Sequence, residues 1–150
     1  GCEGPQSGGR AGADRAAMTA GYSGTPLAKK LSLKDGISAW FHAMPASVRE
    51  DIRDVTLDER EAPEAGLQAA HIFTTDRAEL EHLLTELRTL IDPAGFVWVS
   101  WPKKASKVPT DITEDVIRTI CMPMGWVDVK VCAVDGVWSG LKLMIRKELR

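Results

Sequence analysis

The spacing of hydrophobic and polar positions is clearest in the second half of the chain. Leu67–Thr74 (LQAAHIFT) is short and largely apolar, which predicts a buried strand. From Asp76 to Ile91 the spacing turns helical, with Leu80, Leu83, Leu84, Leu87 and Leu90 or Ile91 on one stripe. Asp76 with Glu79 predicts a capping-box start, and Asp92-Pro93 a stop. Phe96–Trp101 is nearly all apolar, as an inner strand covered on both faces should be. Asp111-Ile112-Thr113-Glu114 is a second box-like start, for a helix with Ile112, Val116, Ile117 and Ile120 inward and Pro123 and Gly125 at its end. Trp126–Val134 and Val137–Lys147 predict two strands joined by Asp135-Gly136, the signal of a tight hairpin.

The first half is less regular. Residues 1–20 are rich in Gly and Ala with no apolar period, and a disordered tail is expected there. Met18 is a candidate natural start, which would make residues 1–17 an extension. Residues 21–150 are expected to form one α/β domain. Thr25-Pro26 predicts the start of a short helix, Pro26–Leu31. A strand over Ile37–His42 and a helix over Pro45–Arg53 should follow. Residues 49–64 hold seven acidic groups against three arginines, which reads as a solvated segment with a short strand near Asp54–Leu57.

From residue 67 the predicted order is β-α-β-α-β-β. Parallel strands need right-handed helical crossovers, so helices should cover both faces of a mostly parallel sheet. The expected class is a three-layer α/β, Rossmann-like fold with an antiparallel C-terminal hairpin. This order resembles the second half of the class I methyltransferase fold, including Leu90-Ile91-Asp92-Pro93-Ala94-Gly95-Phe96 before an inner strand, in a truncated topology. Fold by itself does not carry function.

Composition narrows the possibilities. Lys plus Arg total 19 against 21 acidic residues, a net charge of −2, which argues against a protein devoted to nucleic acid. Three cysteines, Cys2, Cys121 and Cys132, form no CxxC pair and no metal cluster, and with no apolar leader they point to the cytoplasm. The apolar runs are strand-sized, so no membrane span is expected.

Further segments carry a family resemblance. Gly21-Tyr22-Ser23-Gly24-Thr25-Pro26-Leu27-Ala28-Lys29-Lys30-Leu31, Trp98-Val99-Ser100-Trp101-Pro102-Lys103-Lys104-Ala105-Ser106 and Val137-Trp138-Ser139-Gly140-Leu141 are similar to a bacterial domain-of-unknown-function family, number three thousand and fifty-two. The likeness spans roughly residues 20–150. It implies a fold, and it supplies no catalytic residues to carry across.

A nucleotide-type cofactor site needs glycines after the first strand, because only bare backbone lets the ligand approach the turn. That place holds Ala39-Trp40-Phe41-His42-Ala43-Met44-Pro45, without a glycine, and no acidic ribose ligand is identifiable at a second strand's end. The candidate binding site is instead the loop after the inner strand. Lys103, Lys104, Ser106, Lys107 and Thr110 stand between that strand and a helix N-terminus, a place suited to an anion. The plainer reading is a basic loop neutralised by Asp111, Glu114 and Asp115. Trp101, with Trp138 and Ser139 of the hairpin, could border such a site, although strand tryptophans more often belong to the core. Gly140 suggests a bulge or a close approach of backbone. His71, Cys121 and Cys132 read as core residues, and His42 alone among the histidines lies where catalysis could occur. No catalytic residue, metal ligand or cofactor is assigned.

The leading expectation is a non-catalytic Rossmann-like domain binding a small anionic ligand or a protein partner. The alternative is a divergent S-adenosylmethionine-dependent transferase. Nucleic-acid binding through residues 103–107 with Lys142, Arg146, Lys147 and Arg150 is the weakest of the three.

Overall fold

Proline opens both short helices of the first half. The computed structural model describes residues 26–150, so the predicted tail lies outside the described residues. Pro26 precedes α1 (Leu27–Lys30) and Pro45 precedes α2 (Ala46–Asp51), each at the position where a missing N–H costs nothing. Strand β1 (Ser38–His42) lies between them, and β2 is only Asp58–Arg60. The expected strand at Asp54–Leu57 is thus displaced toward the C-terminus. Arg49 pairs with Glu59 at 2.7 Å and Arg60 with Asp58 at 2.6 Å, which ties the charged strand to the surface.

Beyond residue 66 the elements follow the hydrophobic pattern closely. They are β3 (Leu67–Phe73), α3 (Arg77–Leu90), β4 (Ile91–Pro102), α4 (Glu114–Cys121), β5 (Trp126–Ala133) and β6 (Trp138–Ile145). Strand β4 begins five residues earlier than expected, because Ile91 already pairs with Leu67 before the register shifts and Phe96 meets Ala69. Helix α4 starts at Glu114, where Thr113 accepts from the Val116 N–H at 3.2 Å, so the cap is not Asp111. Residues 134–137 link the last two strands. The Asp135 carboxylate accepts from the N–H groups of Val137 and Trp138, both at 2.8 Å, in place of a two-residue turn.

The sheet order is β2-β1-β3-β4-β6-β5. The first four strands are parallel, and β6 runs antiparallel to both β4 and β5. Helices α3 and α4 bury Leu80, Leu84, Leu87, Ile117 and Ile120 against Ile72, Val97 and Leu141 on one face. Helices α1 and α2 cover the other, where Leu31 packs near Ala69 and Trp98, and Val48 near Phe73. The Trp98 indole N–H donates to the buried Leu31 carbonyl at 2.9 Å and fastens α1 to the sheet. On the same face His71 and Ser100 form a buried hydrogen bond of 2.6 Å. Strand β5 carries one extra residue, Val129, between Asp128 opposite Leu143 and Lys130 opposite Lys142. No helix among the described residues is long and apolar enough to cross a membrane.

Two glycines make a paired prediction. A Cβ at Gly95 would stand 2.6 Å from the Gln68 carbonyl oxygen and 3.0 Å from that of Asp92, both backbone atoms. At Gly136 it would meet nothing within 4 Å. Gly95→Ala should cost about 2 kcal/mol through overpacking, while Gly136→Ala should stay within about 0.5 kcal/mol. Urea midpoints of the two variants check this, and equal midpoints would contradict it.

Candidate functional site

Strands β1 and β3 are parallel neighbours whose chains depart in opposite directions, β1 toward β2 and β3 toward β4. Their carboxyl ends therefore flank the crevice where open α/β sheets bind ligands. His42 ends β1, half-buried, with its Nε2 3.4 Å from a Glu79 carboxylate oxygen. Thr74 follows β3 and is buried; its hydroxyl donates to the same Glu79 oxygen at 2.6 Å. That hydroxyl also accepts from the Asp76 N–H at 3.1 Å. The predicted capping box is thus rearranged. Asp76 caps α3 by accepting from the Ala78 N–H, and Glu79 turns to Thr74 and His42.

The Thr74 hydroxyl, and secondarily His42, holds the Glu79 carboxyl below the usual carboxylate range although burial opposes it. Glu79 is therefore an anion beside the imidazole. The other ring nitrogen, Nδ1, has no hydrogen-bond partner among the described residues. A histidine held this way at a ligand-binding edge can accept a proton.

Past His42 the chain turns through Ala43, which adopts a left-handed conformation (φ 55°). Met44 packs between two hydrophobic clusters, and Pro45 contributes no N–H. The turn keeps the sharp reversal that glycine usually serves, with one methyl group upon it. Arg60 pairs with Trp40, so Glu61 leaves β2 at this same edge, and it is exposed. In the sequence Glu79 read only as half of a capping box, and Glu61 was not singled out. The available signal for Glu61 was an acidic residue after Asp58–Arg60, hidden in a strand too short to show alternation.

The predicted loop residues lie farther along the same edge. The Lys103 N–H donates to the Val137 carbonyl at 2.7 Å, which binds the loop to the hairpin. Lys104 and Lys107 are exposed and Lys103 is half-buried. The Ser106 hydroxyl donates to the Lys103 carbonyl at 2.6 Å, and the Thr110 hydroxyl to the Thr75 carbonyl at 2.9 Å. Each hydroxyl hydrogen is used internally, so the side chains of Ser106 and Thr110 shape the loop and have no hydrogen left for an anion. Because α4 begins at Glu114, its N-terminus lies seven residues beyond Lys107, farther than expected.

The hairpin places Trp101 opposite Ser139 and Pro102 opposite Trp138. The two tryptophans nevertheless belong to opposite faces. Trp101 is buried with α3 and α4, whereas Trp138 makes an edge contact with Phe73 at 5.2 Å on the α1–α2 face. They make no common stacking surface. Gly140 lies in unbroken pairing without a bulge, and a Cβ there would stand 3.2 Å from the Trp98 ring. Cys121 and Cys132 are buried; burial pushes the Cys121 thiol up to about 11 and raises that of Cys132, so both remain thiols. No cluster of metal-binding side chains occurs among the described residues.

No family model matches the chain, and no curated protein matches it. The resemblance to the domain-of-unknown-function family gains no support from those comparisons. Solved structures do match. A provisionally assigned type 11 methyltransferase from Sulfolobus solfataricus superposes with a TM-score of 0.61 at 10% identity, over 81% of this chain and 90% of that one. An S-adenosylmethionine-dependent methyltransferase from Aquifex aeolicus gives 0.56 at 17% identity, over 78% and 86%. At such identities the likeness shows the fold. The mixed six-stranded sheet is Rossmann-like, with the class I methyltransferase arrangement and its antiparallel C-terminal hairpin.

Proposed function

We propose that the protein is a divergent S-adenosylmethionine-dependent transferase whose site is the crevice between β1 and β3. The observation that carries this reading is the His42–Glu79–Thr74 cluster at the carboxyl ends of those strands, in a fold shared with two methyltransferases. The edge suits an adenosyl group at two of three points. Glu61 offers a carboxylate to the vicinal hydroxyls of a ribose, the part an acidic residue after the second strand plays in nucleotide-binding sheets. The crevice beside Thr74 is polar where an amino-acid end group would need partners. At the third point the left-handed turn at Ala43 supplies the reversal, and its methyl group keeps the ligand slightly off the backbone.

When bound, S-adenosylmethionine supplies an electrophilic methyl group on its sulfonium. The chain's own contribution is proton handling. Glu79 holds the imidazole through Nε2, and Nδ1 accepts the proton that an attacking hydroxyl or amine must lose. The negative Glu79 also stabilises the imidazolium that results.

A melting experiment with S-adenosylhomocysteine tests this. At a hundredfold excess over Kd a ligand stabilises the folded state by about 2.7 kcal/mol, a rise of roughly 5–10 °C at this size. Glu61→Ala should abolish the rise. His42→Ala should retain it, because His42 acts on the acceptor. An unchanged melting curve for the parent chain overturns the transferase reading.

A second reading follows from the glycine-free turn. Ala43, Met44 and Pro45 put side chains where a cofactor usually meets bare backbone, which favours a non-catalytic domain that binds an anion or a protein through Lys103, Lys104 and Lys107. Its mark would be a flat response to S-adenosylhomocysteine together with phosphate-induced amide shifts within residues 101–110.

A further inference from the structure

At the opposite edge of the sheet, the strands' amino ends line an open-sided cavity of about 500 Å³. Its wall includes Lys29 and Lys34 from the first helix and the loop after it, Gln68 at the start of β3, Phe96 of β4 and Lys142 of β6. Asp92 is the one carboxylate in the wall, and its Oδ1 already accepts from the Ala94 N–H at 2.8 Å. Three lysines against one aspartate give the cavity wall a net positive charge. Among the described residues the ion pairs are made by arginine and histidine, and none of these lysines has a carboxylate partner.

Lys142 shows the imbalance best. Its ammonium stands 4.7 Å from the centre of the Phe96 ring and donates to the Ser32 hydroxyl at 3.0 Å. The extra residue at Val129 brings Lys130 directly opposite it across the β5–β6 pair. Like charges facing each other across strands are unfavourable. Burial first, and Lys130 second, draw the Lys142 ammonium below its usual range. An aspartate or glutamate at position 130 would have relieved this, yet the fold holds a second lysine there. Gln68 adds a donor: its side-chain oxygen is taken by the Ser38 N–H and hydroxyl, which leaves its NH₂ without a partner among the described residues.

We propose that this cavity is a second ligand site, separate from the β1–β3 crevice, that takes a phosphorylated small molecule. The phosphate would be held by Lys34 and Lys142 with the Gln68 amide. The apolar surface of Ile37 and Phe96 would receive a flat organic portion. Lysine suits this role as a mobile point charge, and the volume falls within the range of small-molecule pockets.

Amide shifts of the full chain, recorded at constant ionic strength during separate titrations with inorganic pyrophosphate and adenosine monophosphate, test the site. Saturable shifts at residues 29–37, 92–96 and 142 with either probe are expected. Binding of pyrophosphate alone would identify a bare polyphosphate, and tighter binding of the monophosphate an ester with a flat base. Lys142→Gln should weaken binding at least tenfold. Lys34→Gln, in a loop outside the sheet, should do likewise with an unchanged melting temperature. If neither probe gives saturable shifts there, or potassium chloride reproduces them, the site is refuted. Because the read-out lies at the opposite ends of the strands, failure here is distinguishable from failure of the transferase reading.

Discussion

Trp98→Ala is expected to lower stability by about 5 kcal/mol. Truncating a buried tryptophan costs about 3–5 kcal/mol in transfer and cavity terms. The Leu31 carbonyl, which accepts from the indole at 2.9 Å, would also lose its partner in the interior at about 1–3 kcal/mol. Some of that penalty is recovered by relaxation, and about 5 kcal/mol is a large part of a small domain's reserve. Trp98→Phe keeps most of the packing and loses the hydrogen bond, so about 2 kcal/mol is expected. Denaturant midpoints with unchanged slopes measure both. A loss under 2 kcal/mol for the alanine variant would mean that α1 is not fastened through this residue.

The second large effect is on acid stability. His71 is fully enclosed, stacked on Phe73 at 4.2 Å, and burial drives its pKa from 6.5 to about 3. The folded state therefore keeps the imidazole neutral, while the unfolded chain binds a proton near pH 6.5. Above pH 6.5 neither state is protonated and the residue contributes no pH dependence. Between pH 6.5 and about 3 the unfolded state holds more protons, and stability falls as the pH falls, by about 1.4 kcal/mol per unit. By pH 4.5 the loss is about 3 kcal/mol. Glu79 works in the same direction over the carboxylate range, since its folded pKa is depressed. His71→Gln removes the histidine's share, so its stability curve should be flatter than the parent's between pH 6.5 and 4.5. Parallel curves would refute this assignment.

The clearest elements in the sequence were those whose apolar residues form either a helical stripe or an unbroken run. Leu80, Leu83, Leu84 and Leu87 all fall on the covered stripe of α3, and Phe96–Trp101 lies within a strand covered on both faces. Strand β2 was misplaced because Asp58-Glu59-Arg60 is charged throughout; its place is set by pairing with β1, which is a long-range fact. Site residues were harder for a related reason. Glu79 satisfied a local capping pattern, and its turn toward His42 depends on β1 lying beside β3, 30 residues apart in several pairings. Ser106 and Thr110 had the right chemistry for an anion, but the loop's own Lys103 carbonyl took the hydrogen of the first and the distant Thr75 carbonyl that of the second. Trp101 and Trp138 lie one register step apart across β4 and β6, and strand alternation sends them to opposite sides, which a linear pattern does not reveal. The lysine-lined cavity draws on four separate segments and had no local trace at all.

The irregularity at Val129 also bears on how the sheet ends. An outermost strand with unpaired N–H and C=O groups invites a stranger's strand to join it, and apolar side chains there strengthen the invitation. Strand β5 is outermost, and Val129 and Val131 are 52% and 50% exposed. The inserted residue breaks the even ladder at that point, and Lys130 stands charged between the two valines. At the far margin β2 presents only three residues, all of them charged. Both rims are thereby poor templates for fibril-like stacking, and the same bulge that crowds Lys130 against Lys142 also interrupts the outer ladder.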